Sequence, residues 1–199
     1  MSVKSWKVIS RTNTSGNGRT THKRSPGLIL TSDIALELLS TISLSAPWHL
    51  QKHTLPLLFS SLPDRPPTPT ASVERLKSWR VLSTLGNLCV QPELFDTLVV
   101  RLTAILDFLL LQTSPPWNKH NAAYAYAILT TLFKTLTVKV DKHHADVVTY
   151  SNRLVPALYG LFISSCLSAD DNVKIGMDPR LIDISAQVIT LIVRMLPLL

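Results

Sequence analysis

The sequence predicts an all-α fold, a superhelical stack of antiparallel helical hairpins with about seven helices. Three observations carry this. From Thr31 onward apolar residues recur with a helical period. Thirteen prolines cluster between the apolar segments, and glycine is scarce at six residues in 199. Hydrophobic residues make up 46% and charged residues 17%, enough apolar material for a buried core.

In chain order, the first helix is expected over Ser32–Ser45 with Ser32 as its N-cap. The second covers His49–Leu62. The third runs from about Ala71 to Val90, with Val81, Leu82, Leu85, Leu88 and Cys89 on one face. The fourth follows Pro92, where proline suits a first helical position and Glu93 suits the positive end of the dipole. Its apolar stripe holds Phe95, Leu98, Val99, Leu102, Ile105, Leu106 and Leu109. The fifth, about His120–Val140, has the clearest period. Ala122, Tyr126, Leu129, Phe133, Leu136 and Val140 are spaced by 4, 3, 4, 3 and 4. The sixth covers Ala145–Leu167. The seventh covers Pro179–Leu196, with Asp178 as N-cap.

The breaks set the pairing. Ala46-Pro47-Trp48 and Gln91-Pro92 are tight turns that fold consecutive helices into hairpins. Longer breaks at Pro63–Pro69, Gln112–Pro116 and Ser168–Asp178 separate one hairpin from the next, leaving an unpaired seventh helix. Leu55-Pro56-Leu57-Leu58-Phe59 matches Val155-Pro156-Ala157-Leu158-Tyr159 in class, 100 residues away. That is two units near the roughly 40–47 residues of HEAT and armadillo repeats, so the stack is expected to be of that kind. A proline inside each second helix is expected to bend it. In the seventh helix Leu181, Ile184, Val188, Leu191 and Met195 form one stripe, and Ile182, Ile189, Val193 and Leu196 form a second. Such a helix is expected to be buried on several sides. The domain reading is therefore a disordered basic tail over residues 1–27 and a HEAT-like segment over 28–199, truncated at its C-terminal end.

The formal charge of +7 belongs to the tail. Lys4, Lys7, Arg11, Arg19, Lys23 and Arg24 lie there, and no acidic residue precedes Asp33. A basic tail without a basic folded face is a poor nucleic-acid signal, so no direct nucleic-acid contact is expected. Cys89 and Cys166 sit within apolar runs, as buried thiols of a reducing compartment do. The N-terminus lacks the apolar stretch of a secretory signal. Asp107 and Arg194 interrupt the longest apolar runs, short of the roughly 20 residues a membrane span needs. A soluble intracellular chain is expected.

No catalytic, cofactor-binding or metal-binding residue is expected, and the chain is read as a non-enzyme without a cofactor. His49 and His53 stand at i and i+4, but the position after His49 is Leu50, where a zincin carries its glutamate base. They are read as surface groups. His143 and His144 are adjacent, about 100° apart on a helix, and are read as capping-region polar groups beside Asp141 and Asp146. Ser168–Asn172 hints at a calcium loop, but the sixth and twelfth positions from Asp170 are Ile175 and Leu181. Tyr124, Tyr126 and Tyr159 are read as packing residues. No Gly-rich phosphate loop and no Gly-x-Ser-x-Gly occurs.

Three stretches carry a resemblance. They are Leu82–Leu85 with Cys89–Leu102; Ala123–Tyr126 through Lys139–Asp141 to Arg153–Tyr159; and Asp178–Leu181. Together they resemble a middle section of the large fungal HEAT-repeat proteins linked to methyl-methanesulfonate sensitivity. Those proteins are targeting subunits of cytosolic iron–sulfur cluster assembly, tied to nucleotide excision repair and transcription. The likeness covers about residues 49–199 and excludes residues 1–27 and the Thr113–His120 linker. Family members are several times longer, so the resemblance implies a fragment. It also implies a scaffold with no cofactor of its own, present in nucleus and cytoplasm. Its expected partners are cluster-assembly subunits and apo iron–sulfur clients, DNA repair and replication enzymes among them. Binding of the assembly partners is placed by the family in its C-terminal repeats. The residues alone leave open another HEAT scaffold, of nuclear-transport or phosphatase-regulatory type, or a non-functional gene fragment.

Overall fold

The computed structural model describes residues 26–63, 65–67, 70–111, 119–163 and 178–196. They form seven helices and, among the described residues, no strand. We number them α1 (Pro26–Ser45), α2 (47–60), α3 (Ser72–Leu88), α4 (Pro92–Leu111), α5 (Lys119–Asp141), α6 (145–163) and α7 (Pro179–Arg194).

The helices stand in two rows. In the odd row α1 packs on α3, α3 on α5 and α5 on α7. In the even row α2 packs on α4, and the Gln51 amide donates to Thr97 Oγ1 at 3.0 Å. Helix α6 joins this row through Phe95 and Tyr150, whose rings meet edge-on with centroids 4.8 Å apart. Two rows of antiparallel hairpins form the expected HEAT-like stack, in which each hairpin buries its faces against neighbours.

Local chemistry explains most helix ends. Ala46 breaks the chain at φ −148° and ψ 62°, and Pro47 opens α2 at a position that needs no hydrogen-bond donor. Pro92 opens α4 in the same way, with Glu93 in its first turn. Asp178 caps α7, its carboxylate accepting from the Arg180 amide at 3.0 Å. Helix α5 closes on a left-handed residue, His143, at φ 53°. The His144 amide donates to the Lys139 carbonyl and the His143 amide to that of Val140, both at 2.9 Å, which is a Schellman closure.

Two expectations, for Ser32 and for α7, need correction, and the one for the prolines gains local detail. Ser32 is not an N-cap, because α1 starts at Pro26 and Ser32 lies within it. Proline at the first turn begins the helix, and its fixed φ suits that place. The prolines of the second helices sit beside wide π-turns. One turn, Leu50–Thr54, precedes Pro56; the other, Tyr159–Ile163, follows the helical segment that contains Pro156. The register shift of a π-turn reroutes backbone hydrogen bonds where proline offers no donor. Helix α7 is not buried on several sides among the described residues. Leu181, Ile184 and Val188 are buried, whereas Val193 and Leu196 are exposed and Ile182 and Ile189 half-covered. The 1–25 part of the basic tail, the Gln112–Pro116 break, Cys166 and the Ser168–Asn172 loop lie outside the described residues.

Helix α5 is the axis of the core. Its expected stripe is inside, with Ala122, Leu129 and Leu136 buried and Tyr126, Phe133 and Val140 partly so. Ala125, Ile128 and Leu132 are buried as well. A helix held between α3 on one side and α7 on the other has two faces to cover, and a single stripe understates its burial.

Candidate functional site

Where α1, α3 and α5 run side by side they leave an open groove with a cavity volume of about 370 Å³. Small residues make its floor. Gly86 of α3 lies so close to α5 that an added Cβ would stand 3.2 Å from the Thr131 methyl and 3.3 Å from Thr135 Oγ1. Thr135 is fully buried and donates to the Gly86 carbonyl at 3.1 Å, tying the two helices together at this point. Ser40 and Ser43 come from α1, and Ser83 and Asn87 from the face of α3 that also carries Trp79. The rim holds Leu44, Trp79 and Val138, all exposed, and the lysines Lys134 and Lys142.

Behind the groove lies a buried polar joint. The Lys139 ammonium is fully buried at the end of α5. It sits 2.7 Å from Asp146 Oδ2 of α6 and donates at 2.8 Å to the Val90 carbonyl, just past the end of α3. It also lies over the Phe95 ring of α4, 5.0 Å from its centroid. Four helices thus meet at one charge. A cation at the C-terminal end of α3 satisfies a carbonyl that the helix leaves free and suits its dipole. Burial pulls the Lys139 pKa below its usual value, and the Asp146 carboxylate pulls the other way. Tyr150 closes the joint, its hydroxyl reaching the Pro92 carbonyl at 3.5 Å. Burial first, then the nearby Asp96, raises its pKa. Arg153 and Asp96 face each other across the surface of this joint at 3.8 Å.

The residues singled out from sequence fall as follows. His49 and His53 are exposed, with ring centroids 6.2 Å apart, and His49 stacks on Trp48 at 3.5 Å. Among the described residues no group of three His, Cys, Asp or Glu could hold a metal ion. His143 and His144 are indeed capping residues, of the end of α5, and His144 Nδ1 lies 3.9 Å from Asp146 Oδ1. Tyr124 is a packing residue whose hydroxyl donates to the Pro63 carbonyl at 3.1 Å, and Tyr126 carries the Arg180 guanidinium on its face at 5.4 Å. Tyr159 is not a packing residue: it is 47% exposed, at the start of the π-turn. Cys89 is buried, and burial pushes its thiol up to about 12. Lys139 escaped the sequence reading, since a lysine at the end of an amphipathic helix looks like any solvated one. The signal available was its place between the apolar Val138 and Val140.

Stacked helical hairpins with an open groove, and a buried ion pair that serves as a joint, define a helical-repeat scaffold. Residues 81–198, more than half of the chain, match the family described as RNAPII transcription regulator C-terminal, the C-terminal family of MMS19. The chain belongs to the MMS19 family, whose members are of the scaffold and adaptor type. The matched region contains all three stretches that carry the resemblance, but it is the family's C-terminal part where a middle section was expected. No curated protein and no solved structure matches the chain. The joint accounts for part of the resemblance: Val90, Pro92, Phe95, Asp96, Lys139 and Arg153 all lie within the resembling stretches.

Among the described residues no helix is long and apolar enough to cross a membrane.

Proposed function

We propose that this chain is a protein-binding scaffold of the targeting machinery for cytosolic iron–sulfur cluster assembly. It holds cluster-assembly subunits against apo client proteins, DNA repair and replication enzymes among them, and works in nucleus and cytoplasm. The observation that carries the reading is membership of the MMS19 family over residues 81–198, joined to a fold of stacked helical hairpins. The family's description as an RNAPII transcription regulator supports a link to transcription. A stack of hairpins suits the role because each repeat adds surface while the rows keep that surface rigid. No cofactor is assigned to the chain.

Affinity purification of the tagged 199-residue chain from its own cells tests this. Recovery of cluster-assembly subunits and apo clients is expected. Recovery of transport cargo or phosphatase subunits in their place would overturn it, as would recovery of no partner.

A further inference from the structure

Three of the grooves on the odd row of helices share a charge pattern. Lys134 and Lys142 line the groove between α1, α3 and α5; Arg75 lines a smaller one between α3 and the start of α5; Arg194 lines a third between α5 and α7. No carboxylate lines any of the three. The pattern is not a consequence of composition. Residues 28–199 hold fourteen of the twenty basic residues and all thirteen acidic ones, so the charges nearly balance. Glu37, Glu74 and Asp141 lie on the helices that bound the first of these grooves but outside its lining. Helix α4 carries three more, Glu93, Asp96 and Asp107.

In the groove between α1, α3 and α5, Lys134, Val138 and Lys142 follow one another at every fourth residue, the last just past the end of α5. The two ammonium groups stem from positions about 12 Å apart along one face. Neither makes an ion pair among the described residues. Between and opposite them Leu44 is 66%, Trp79 48% and Val138 37% exposed, an uncovered apolar patch beside hydroxyl and amide groups. Those groups suit a peptide main chain, which offers donors and acceptors in alternation. A nucleic acid would call for a continuous basic track with aromatic platforms for its bases. Two lysines around a hydroxyl floor, with one aromatic ring, Trp79, beside the aliphatic Leu44 and Val138, fit a protein better.

We propose that this groove docks an acidic segment of a partner protein, with its carboxylates against Lys134 and Lys142 and one bulky apolar side chain against Leu44, Trp79 and Val138. The proposal rests on the scaffold reading and gives it a chemistry of recognition. A cavity of this size accepts one large side chain, and charge complementarity at its rim sets orientation and partner choice.

The test is fluorescence anisotropy with the full 199-residue chain and a labelled synthetic peptide of about twelve residues, in which Asp and Glu flank a single tryptophan. Saturable binding that weakens with added salt is expected. Lys134 and Lys142 are both exposed, so the K134E/K142E chain is expected to keep its circular dichroism while binding falls at least about tenfold. Trp79→Ala is expected to weaken binding as well, and Arg101→Glu, on α4, to leave it unchanged. Failure of the wild-type chain to bind the peptide would overturn the proposal, and so would unchanged binding by K134E/K142E. Equal binding of a lysine-substituted peptide, or of a single-stranded oligonucleotide of the same charge as the acidic one, would overturn it too. The scaffold reading fails separately, in the co-purification: cluster-assembly subunits recovered equally by wild type and K134E/K142E sink this groove alone.

Discussion

The ammonium of Lys139 is the single charge on which the packing of four helices converges, and two partners hold it. Taking a lysine out of water is costly unless its charge and its donors are matched. Asp146→Ala removes the countercharge and leaves the ammonium its hydrogen bond to the Val90 carbonyl. We expect it to lower unfolding free energy by about 3 kcal/mol in urea melts, while K139M/D146L, which removes both charges, stays closer to wild type. A double variant as unstable as Asp146→Ala would show that packing, not charge, dominates the site. Cys89 gives a pH signature of its own. Its folded pKa is near 12 and its ordinary value is 9.0, so above pH 9 the unfolded chain releases a proton that the folded chain retains. The stability it contributes is intact below pH 9 and is lost as pH rises toward 12, by about 1.4 kcal/mol per pH unit. Cys89→Ala should reduce this slope by that amount; equal slopes in both proteins would show that the thiol titrates normally.

Helix ends decide how the elements join. His143 adopts a left-handed conformation that most residues with a Cβ avoid, because the closure of α5 and the start of α6 leave it no other path. Its side chain is exposed and touches no partner that the closure needs. His143→Gly should therefore raise stability by about 0.5–1 kcal/mol, read as an upward shift in melting temperature. A fall would mean that the imidazole itself stabilises the closure. The tight contact at Gly86 works at the same scale. Its missing side chain sets the spacing of α3 and α5, and that spacing gives the groove a floor of hydroxyls.

Across the whole molecule stability is uneven, since a stack has no single centre and each helix answers only to its neighbours. Helix α5 lies between two neighbours of its row and is buried along most of its length, from Asn121 to Lys139. Helix α1 has one row neighbour, and Ile34, Leu38 and Ile42 are all exposed. Amide hydrogen exchange should be slowest in α5 and fastest in α1, in graded steps between them. Uniform protection over all seven helices would show a single cooperative unit in place of a stack.

By itself the sequence determined the class of fold, the number of helices and most of their ends. Those follow from local causes: a 3.6-residue apolar period, prolines where a helix must begin, and Asp178 where one needs a cap. It also carried the family, through the stretches around Cys89–Leu102, Lys139–Asp141 and Asp178–Leu181. What it did not determine was which polar residues face inward. Lys139 and Lys142 are both lysines near the end of one helix, three residues apart; one is sealed in a joint and the other stands on a groove rim. Only the tertiary structure could separate them. Burial of a charge depends on which other helices arrive there, and Asp146 and Val90 reach Lys139 through contacts between helices that no periodicity records.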